Sequence, residues 1–143
     1  MLNKRAIWVL TLMLIFVMFL PGCFGPKTAR VEIIFDPNPV PYVEGEDWKS
    51  KIIFTECNGI GITLTSVTFD YYNQDEKIKT SVWDEEWIEQ WFGSNYLPAF
   101  GLLERGFGLK VQEITHQLVT ATGVDDNGYQ VESTITRVDF LSP

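Results

Sequence analysis

The chain reads as an all-β domain: a two-sheet sandwich of about seven short strands, with one short helix inserted before the last strands. Three observations carry that reading. Short segments repeat the apolar–polar alternation of a half-buried strand. Turn chemistry recurs about every 8–12 residues. Near the C-terminus, Asp125-Asp-Asn-Gly128 is a strong hairpin signal beside residues rich in Val, Thr and Ile.

The first strand is Arg30-Val-Glu-Ile-Ile-Phe35, with Val31, Ile33 and Phe35 on one face. In Asp36-Pro-Asn-Pro-Val-Pro41, which follows, the prolines lack backbone donors and hold the chain extended, as only a sheet edge tolerates. This predicts a kink at which the chain crosses from one sheet to the other. After the polar turn Glu44-Gly-Glu-Asp47, residues Trp48, Ser50, Ile52 and Phe54 line one face of a second strand. Lys49, Lys51 and Thr55 point towards water. Asn58-Gly59 turns the chain, and alternation resumes through Ile60-Gly-Ile-Thr-Leu64 and Val67-Thr-Phe-Asp-Tyr71. Ser66 between those runs slips the parity and predicts a bulge. Tyr72-Asn-Gln-Asp-Glu-Lys77 is a polar turn.

Residues 80–93 break the strand pattern. Ser81 is placed to cap a short helix, with Asp84, Glu85 and Glu86 in its first turns, where the helix dipole favours acids. Trp83, Trp87 and Trp91 recur at four-residue spacing beside Ile88 and Phe92, and Gly93 is a natural stop. Residues 93–108 carry four glycines and Pro98 and read as irregular. Residues 109–115 and 117–124 are strand material. A type I′ turn at Asn127-Gly128 leads into a returning strand at 129–141, whose apolar phase shifts between Ile135 and Val138.

The N-terminus is a different kind of sequence. Met1-Leu-Asn-Lys-Arg5 is basic, residues 6–20 form an unbroken apolar run of 15, and Leu20-Pro-Gly-Cys23 closes it. A bilayer-spanning helix needs roughly 20 apolar residues, and Lys4 and Arg5 hold the start on the cytoplasmic side. The segment resembles a bacterial lipoprotein signal peptide with its lipobox. The resemblance implies cleavage before Cys23, which becomes an N-terminus carrying a diacylglyceryl thioether and commonly an N-linked acyl chain such as palmitate. Two or more chains anchor stably where one does not. The implied organisation is a leader at 1–22, a lipidated cysteine and spacer at 23–28, and a domain at 29–143. Phe24 is not the aspartate that often retains such proteins at the inner membrane, so the expected location is the outer membrane or cell surface.

Asp36-Pro-Asn-Pro-Val-Pro41, Glu56-Cys-Asn-Gly-Ile-Gly-Ile-Thr-Leu64, Trp91-Phe-Gly93 and Thr122-Gly-Val-Asp-Asp-Asn-Gly128 resemble the punctuation of bacterial extracytoplasmic immunoglobulin-like (Ig-like) domains. That resemblance implies an Ig-like sandwich. The acidic, Trp-rich insert before Trp91 departs from it, and the Cys…Trp…Cys signature of antibody-type domains is absent.

The formal net charge is −8, and loss of Lys4 and Arg5 with the leader brings it to −10. This disfavours a nucleic-acid partner and electrostatic docking on anionic headgroups. With Cys23 lipidated, Cys57 is the remaining thiol, expected at a strand end and at least half-buried. His116 is the single histidine, too little for a transition-metal site, and an enzyme would need a cleft gathering it with distant acids. Asp84, Glu85, Glu86 and Glu89 are the solvated face of a helix rather than a glycosidase pair, which must span a cleft. Asp125-Asp126-Asn127 offers oxygens to calcium but lacks EF-hand spacing, and a hairpin explains it. No catalytic residue, metal or cofactor is expected.

Trp83, Trp87 and Trp91 either pack as core or form a recognition surface that Tyr96, Leu97, Phe100 and Phe107 enlarge. The expected function is a non-enzymatic, lipid-anchored module that binds another envelope protein or scaffolds an assembly. A carbohydrate-binding module is the alternative, and it requires two or three coplanar exposed rings.

Overall fold

The computed structural model describes residues 26–110 and 113–141. They form two antiparallel sheets, of three and six strands, with a single short helix among the described residues. The alternation seen in the sequence becomes the burial pattern. β1 (Val31–Asp36) buries Val31, Ile33 and Phe35, and β2 (Trp48–Glu56) buries Trp48, Ser50, Ile52, Phe54 and Glu56. In the smaller sheet β2 lies between β1 and β6 (Leu102–Leu109).

The larger sheet is built on β3 (Ile62–Asn73) and β7 (His116–Asp125). Both outer flanks are pieced together. β4 (Glu76–Asp84) and the two-residue β5 (Tyr96–Leu97) share the free side of β3. β8 (Gln130–Glu132) and β9 (Thr136–Asp139) share that of β7. The core between the sheets gathers Ile52, Phe54, Ile62, Leu64, Val67, Phe69, Leu97 and Val119.

Two irregularities lie where the sequence places them. Between Pro39 and Pro41, Val40 bridges Phe140 in parallel just after β9 of the larger sheet, while β1 belongs to the smaller one. The β3–β7 register shifts between Leu64 and Ser66, at the parity slip.

Elsewhere the structure corrects the reading. The helix, α1 (Glu85–Phe92), follows β4 and precedes five further strands, so it is not a late insert. Its cap is Asp84, whose Oδ1 accepts the Trp87 N–H at 3.0 Å, and not Ser81, which pairs with Phe69 in β4. β-branched Thr80 and Val82 favour a strand there, and Asp84 is as competent a cap as serine. Trp83 therefore lies in a strand, one residue from its end, and is not part of a helical stripe. Residues 102–109 are β6, an edge strand whose glycines weaken its apolar pattern, rather than an irregular stretch.

The terminal hairpin is not type I′. Only Gly128 has positive φ, at 83°; the Gly128 N–H donates to the Asp125 carbonyl (2.8 Å) and the Asp125 N–H to that of Tyr129 (2.9 Å). This is a three-residue loop with glycine in the left-handed position. Asp125 selects it, because its Oδ1 accepts the N–H groups of Asn127 (3.0 Å) and Tyr129 (2.9 Å). The returning strand divides at Ser133, whose Oγ accepts the Ala121 N–H at 2.9 Å in place of a ladder carbonyl. With both flanks divided, the described residues hold nine strands instead of about seven.

Candidate functional site

α1 sits where the edge strands of the two sheets, β4 and β6, leave the side of the sandwich open, and it packs against β3, β4 and β6. Its apolar anchors are Ile88, fully buried, and Phe92, edge-on to Phe54 at 5.4 Å. Gly93, at φ 78°, ends the helix and returns its N–H to the Glu89 carbonyl.

The rings singled out in the sequence divide three ways. Trp83 and Phe107 belong to the packing and not to a surface. Trp83 lies 4.4 Å from Phe69, and Phe107 meets Phe35 edge-on at 5.7 Å. Trp87 and Trp91 face outward from α1. Trp91 leans on Trp83 at 5.4 Å, while Trp87 is 50% exposed. Together with Gln90, Arg105 and Gly106 they line an open cleft of about 310 Å³ between α1 and β6. Arg105 shares strand parity with Leu103, Phe107 and Leu109 but is exposed, and it lines the cleft beside α1. The result is an aromatic wall, an amide and a guanidinium, suited to an apolar side chain lying beside a carboxylate.

Tyr96 and Phe100 stand elsewhere, at the end of the sandwich where β2 and β7 finish and β3 begins. The Tyr96 hydroxyl donates to Asp126 Oδ2 at 3.0 Å, and the hydrogen bond raises its pKa. Phe100 lies over Gly59, where a Cβ would meet its ring at 2.6 Å, yet the side chain is 73% exposed.

This end is held by two buried carboxylates: Glu56, which alternation marks only as a strand-end residue, and Asp125, which stands out in the sequence as a turn acid and an oxygen donor for calcium. Glu56 accepts backbone N–H groups from Arg30 (3.1 Å), Asn58 (2.8 Å), Gly59 (2.7 Å), Ile60 (3.2 Å) and Phe100 (3.0 Å). Burial alone pushes its pKa up, but the combined backbone donors outweigh this and hold it below the ordinary 4.5. Asp125 adds the Ala29 N–H at 3.0 Å to its two turn bonds, and these donors likewise overcome desolvation and lower its pKa. With its oxygens turned to the backbone, Asp125 serves as a turn anchor.

Cys57 is exposed, contrary to the expectation of burial, because β2 ends at Glu56 and the thiol sits just beyond it. Desolvation and the nearby Glu32 carboxylate push its pKa up, which disfavours the thiolate. His116 is buried, stacked on Tyr72 at 4.8 Å, with Nδ1 3.3 Å from Thr115 Oγ1. Desolvation and then Arg137 lower its pKa against the opposing pull of Asp139 and Asp75. The leader and Cys23 lie outside the described residues; among those described, no helix is long and apolar enough to cross a membrane.

No protein-family model and no curated protein matches the chain. Solved structures with distant similarity exist. Structural-genomics target SoR45 shares 13% identity over 78% of this chain and 86% of its own, with a TM-score of 0.48. Spo0M, a sporulation control protein from Bacillus subtilis, shares 14% over 84% of this chain, with a TM-score of 0.41. The Pseudomonas fluorescens alkylpurine DNA glycosylase AlkC shares 10% over 82%, with a TM-score of 0.44. The match spans 51% of Spo0M and 31% of AlkC. By its own strands the chain is a mostly β, two-sheet protein, and its likeness to the SoR45 and Spo0M structures is distant.

Proposed function

We propose that this is a lipid-anchored, extracytoplasmic Ig-like domain that binds another envelope protein through the cleft between α1 and β6, without catalysis. The carrying observation is the disposition of α1. Ile88 and Phe92 anchor the helix inward, which leaves Trp87 and Trp91 free to face Arg105 across an open cleft. Trp and Arg are among the residue types enriched in protein-binding hot spots. The partner that fits presents an aliphatic or aromatic side chain next to an Asp or Glu. The carbohydrate alternative draws less support, since Trp91 leans on Trp83 at an interplanar 32° and Tyr96 and Phe100 lie outside the cleft.

A photo-cross-linking residue at Gln90, in cells expressing the full chain, tests this against the same residue at Lys79. The reading predicts a discrete adduct from position 90 that Trp87→Ala abolishes. Identical adducts from both positions, or adducts indifferent to Trp87→Ala, would refute it.

A further inference from the structure

We propose that the 98–101 loop, led by Phe100, with Leu102 at the start of β6, seats in the bilayer to which the chain is anchored, so that the domain stands on the membrane in a fixed orientation; this rests on the Cys23 anchor proposed above. Between Glu89 and Glu104 this acid-rich chain carries no charge, and Pro98, Ala99, Phe100 (73%) and Leu102 (57%) are all exposed. Tyr129 (43%) and Tyr96 (41%) flank them at the same end.

The chain itself says what lies beside that end. Residues 27–30 are fastened to it one after another. Asn127 Nδ2 donates to the Lys27 carbonyl (3.0 Å) and Asn58 Nδ2 to that of Thr28 (2.6 Å), while the Ala29 N–H goes to Asp125 and the Arg30 N–H to Glu56. Lys27 is four positions on from Cys23, a reach of at most about 14 Å. The opposite end, at the β3–β4 turn, lies a 12-residue strand away, about 40 Å. An acylated Cys23 therefore brings the Phe100 end, and not the β3–β4 turn, to the headgroups.

The loop's backbone gives an independent reason to look for a ligand. The Gly101 N–H donates to the Pro98 carbonyl at 2.8 Å, and Phe100, third in that turn, has φ 54°, the position a type II turn reserves for glycine. A large apolar ring is held in a strained backbone state with its face to solvent, and the Glu56 bond to its N–H holds it there. Beyond the cover its ring gives Gly59, folding alone gains little from Phe at this place. An acyl–headgroup boundary does, with Tyr96 and Tyr129 at headgroup level and Phe100 and Leu102 deeper. The domain's net negative charge makes an uncharged bilayer the matching surface.

The test uses the full chain, acylated in cells fed labelled palmitate and reconstituted in phosphatidylcholine vesicles. A nitroxide is placed at Ala99→Cys or, for reference, at Asp75→Cys, each with Cys57→Ser. Docking predicts that label 99 gains oxygen collisions and loses several-fold in collisions with a water-soluble nickel chelate, while label 75 stays aqueous. Phe100→Gly should return label 99 to water with acylation intact and the melting temperature unchanged or raised, and Leu102→Ser should do so in part. Equal chelate access at 99 and 75 in palmitate-bearing protein overturns docking and leaves the anchor standing. Chelate protection without oxygen gain means that protein, such as a second copy, covers the loop, and also overturns it. Absence of palmitate overturns the anchor and this inference together.

Discussion

α1 and the 98–101 loop both turn aromatic rings towards solvent, yet α1 is fixed by apolar burial and the loop by a buried carboxylate. At eight residues α1 is too short to persist alone, and Ile88 and Phe92 hold it against the sandwich. The loop from Pro98 to Gly101 buries no side chain at all, and the Glu56 bond to the Phe100 N–H takes the place of a core contact. In both regions the residue that fixes the backbone differs from the residue that faces outward. Recognition and stability should therefore separate cleanly on mutation, with large stability effects at the anchors and small ones at the rings.

The largest effect is expected at Glu56. Glu56→Ala leaves several inward backbone donors unpaired and should lower urea-unfolding stability by about 3–5 kcal/mol. A loss under about 1 kcal/mol would mean that the loop end holds itself without the carboxylate. The same group sets a pH dependence. Its folded pKa lies below the ordinary 4.5, so its stabilisation is complete above that value and is lost as pH falls through the lowered one. Urea midpoints measured across that acid window should fall steeply for the native chain and less steeply for Glu56→Gln. Some slope should remain, because the pKa of Asp125 is lowered in the same sense.

Ile88→Ala should come next, with a loss of about 2–4 kcal/mol from the cavity beneath α1. Retention of native stability would show that the helix does not depend on its buried face. Gly59→Ala is expected to be milder, about 1–2 kcal/mol, because alanine must take φ 77° and displace the Phe100 ring. Adding Phe100→Gly should recover part of that loss in a double-mutant cycle, and strict additivity would show that the two positions do not interact. Trp87→Ala should change stability least, within about 0.5 kcal/mol, while removing the position-90 cross-link.

What could be read from the sequence follows from which residues are half-buried. β1 and β2 alternate cleanly because each buries one face, so their parity was plain in Val31-Ile33-Phe35 and Trp48-Ser50-Ile52-Phe54. The edge strands carry a weaker signal. β4 leaves Ile78 and Val82 exposed and β6 leaves Leu102 exposed, so period two there marks no interior. Hence residues 102–109 read as a loop, and the end of β4 reads as part of the helix that its own Asp84 caps.

The cleft was half legible. Trp87 and Trp91 stood out by residue type, but Trp83 and Phe107 stood out equally and pack inward. Arg105 became visible only once β6 was known to be a strand, since its parity places a cation among Leu103, Phe107 and Leu109. Glu56 continues the inward parity of Phe54. Its partners are backbone donors at residues 30, 58–60 and 100, which only folding brings together.

The anchor, on which both the proposed location and the membrane-seated loop depend, is tested most directly by mass spectrometry of the protein's N-terminal peptide recovered from cells. A peptide beginning at Cys23 and carrying the added mass of a diacylglyceryl group is the predicted result. A peptide that still begins at Met1, or an unmodified Cys23, would contradict it.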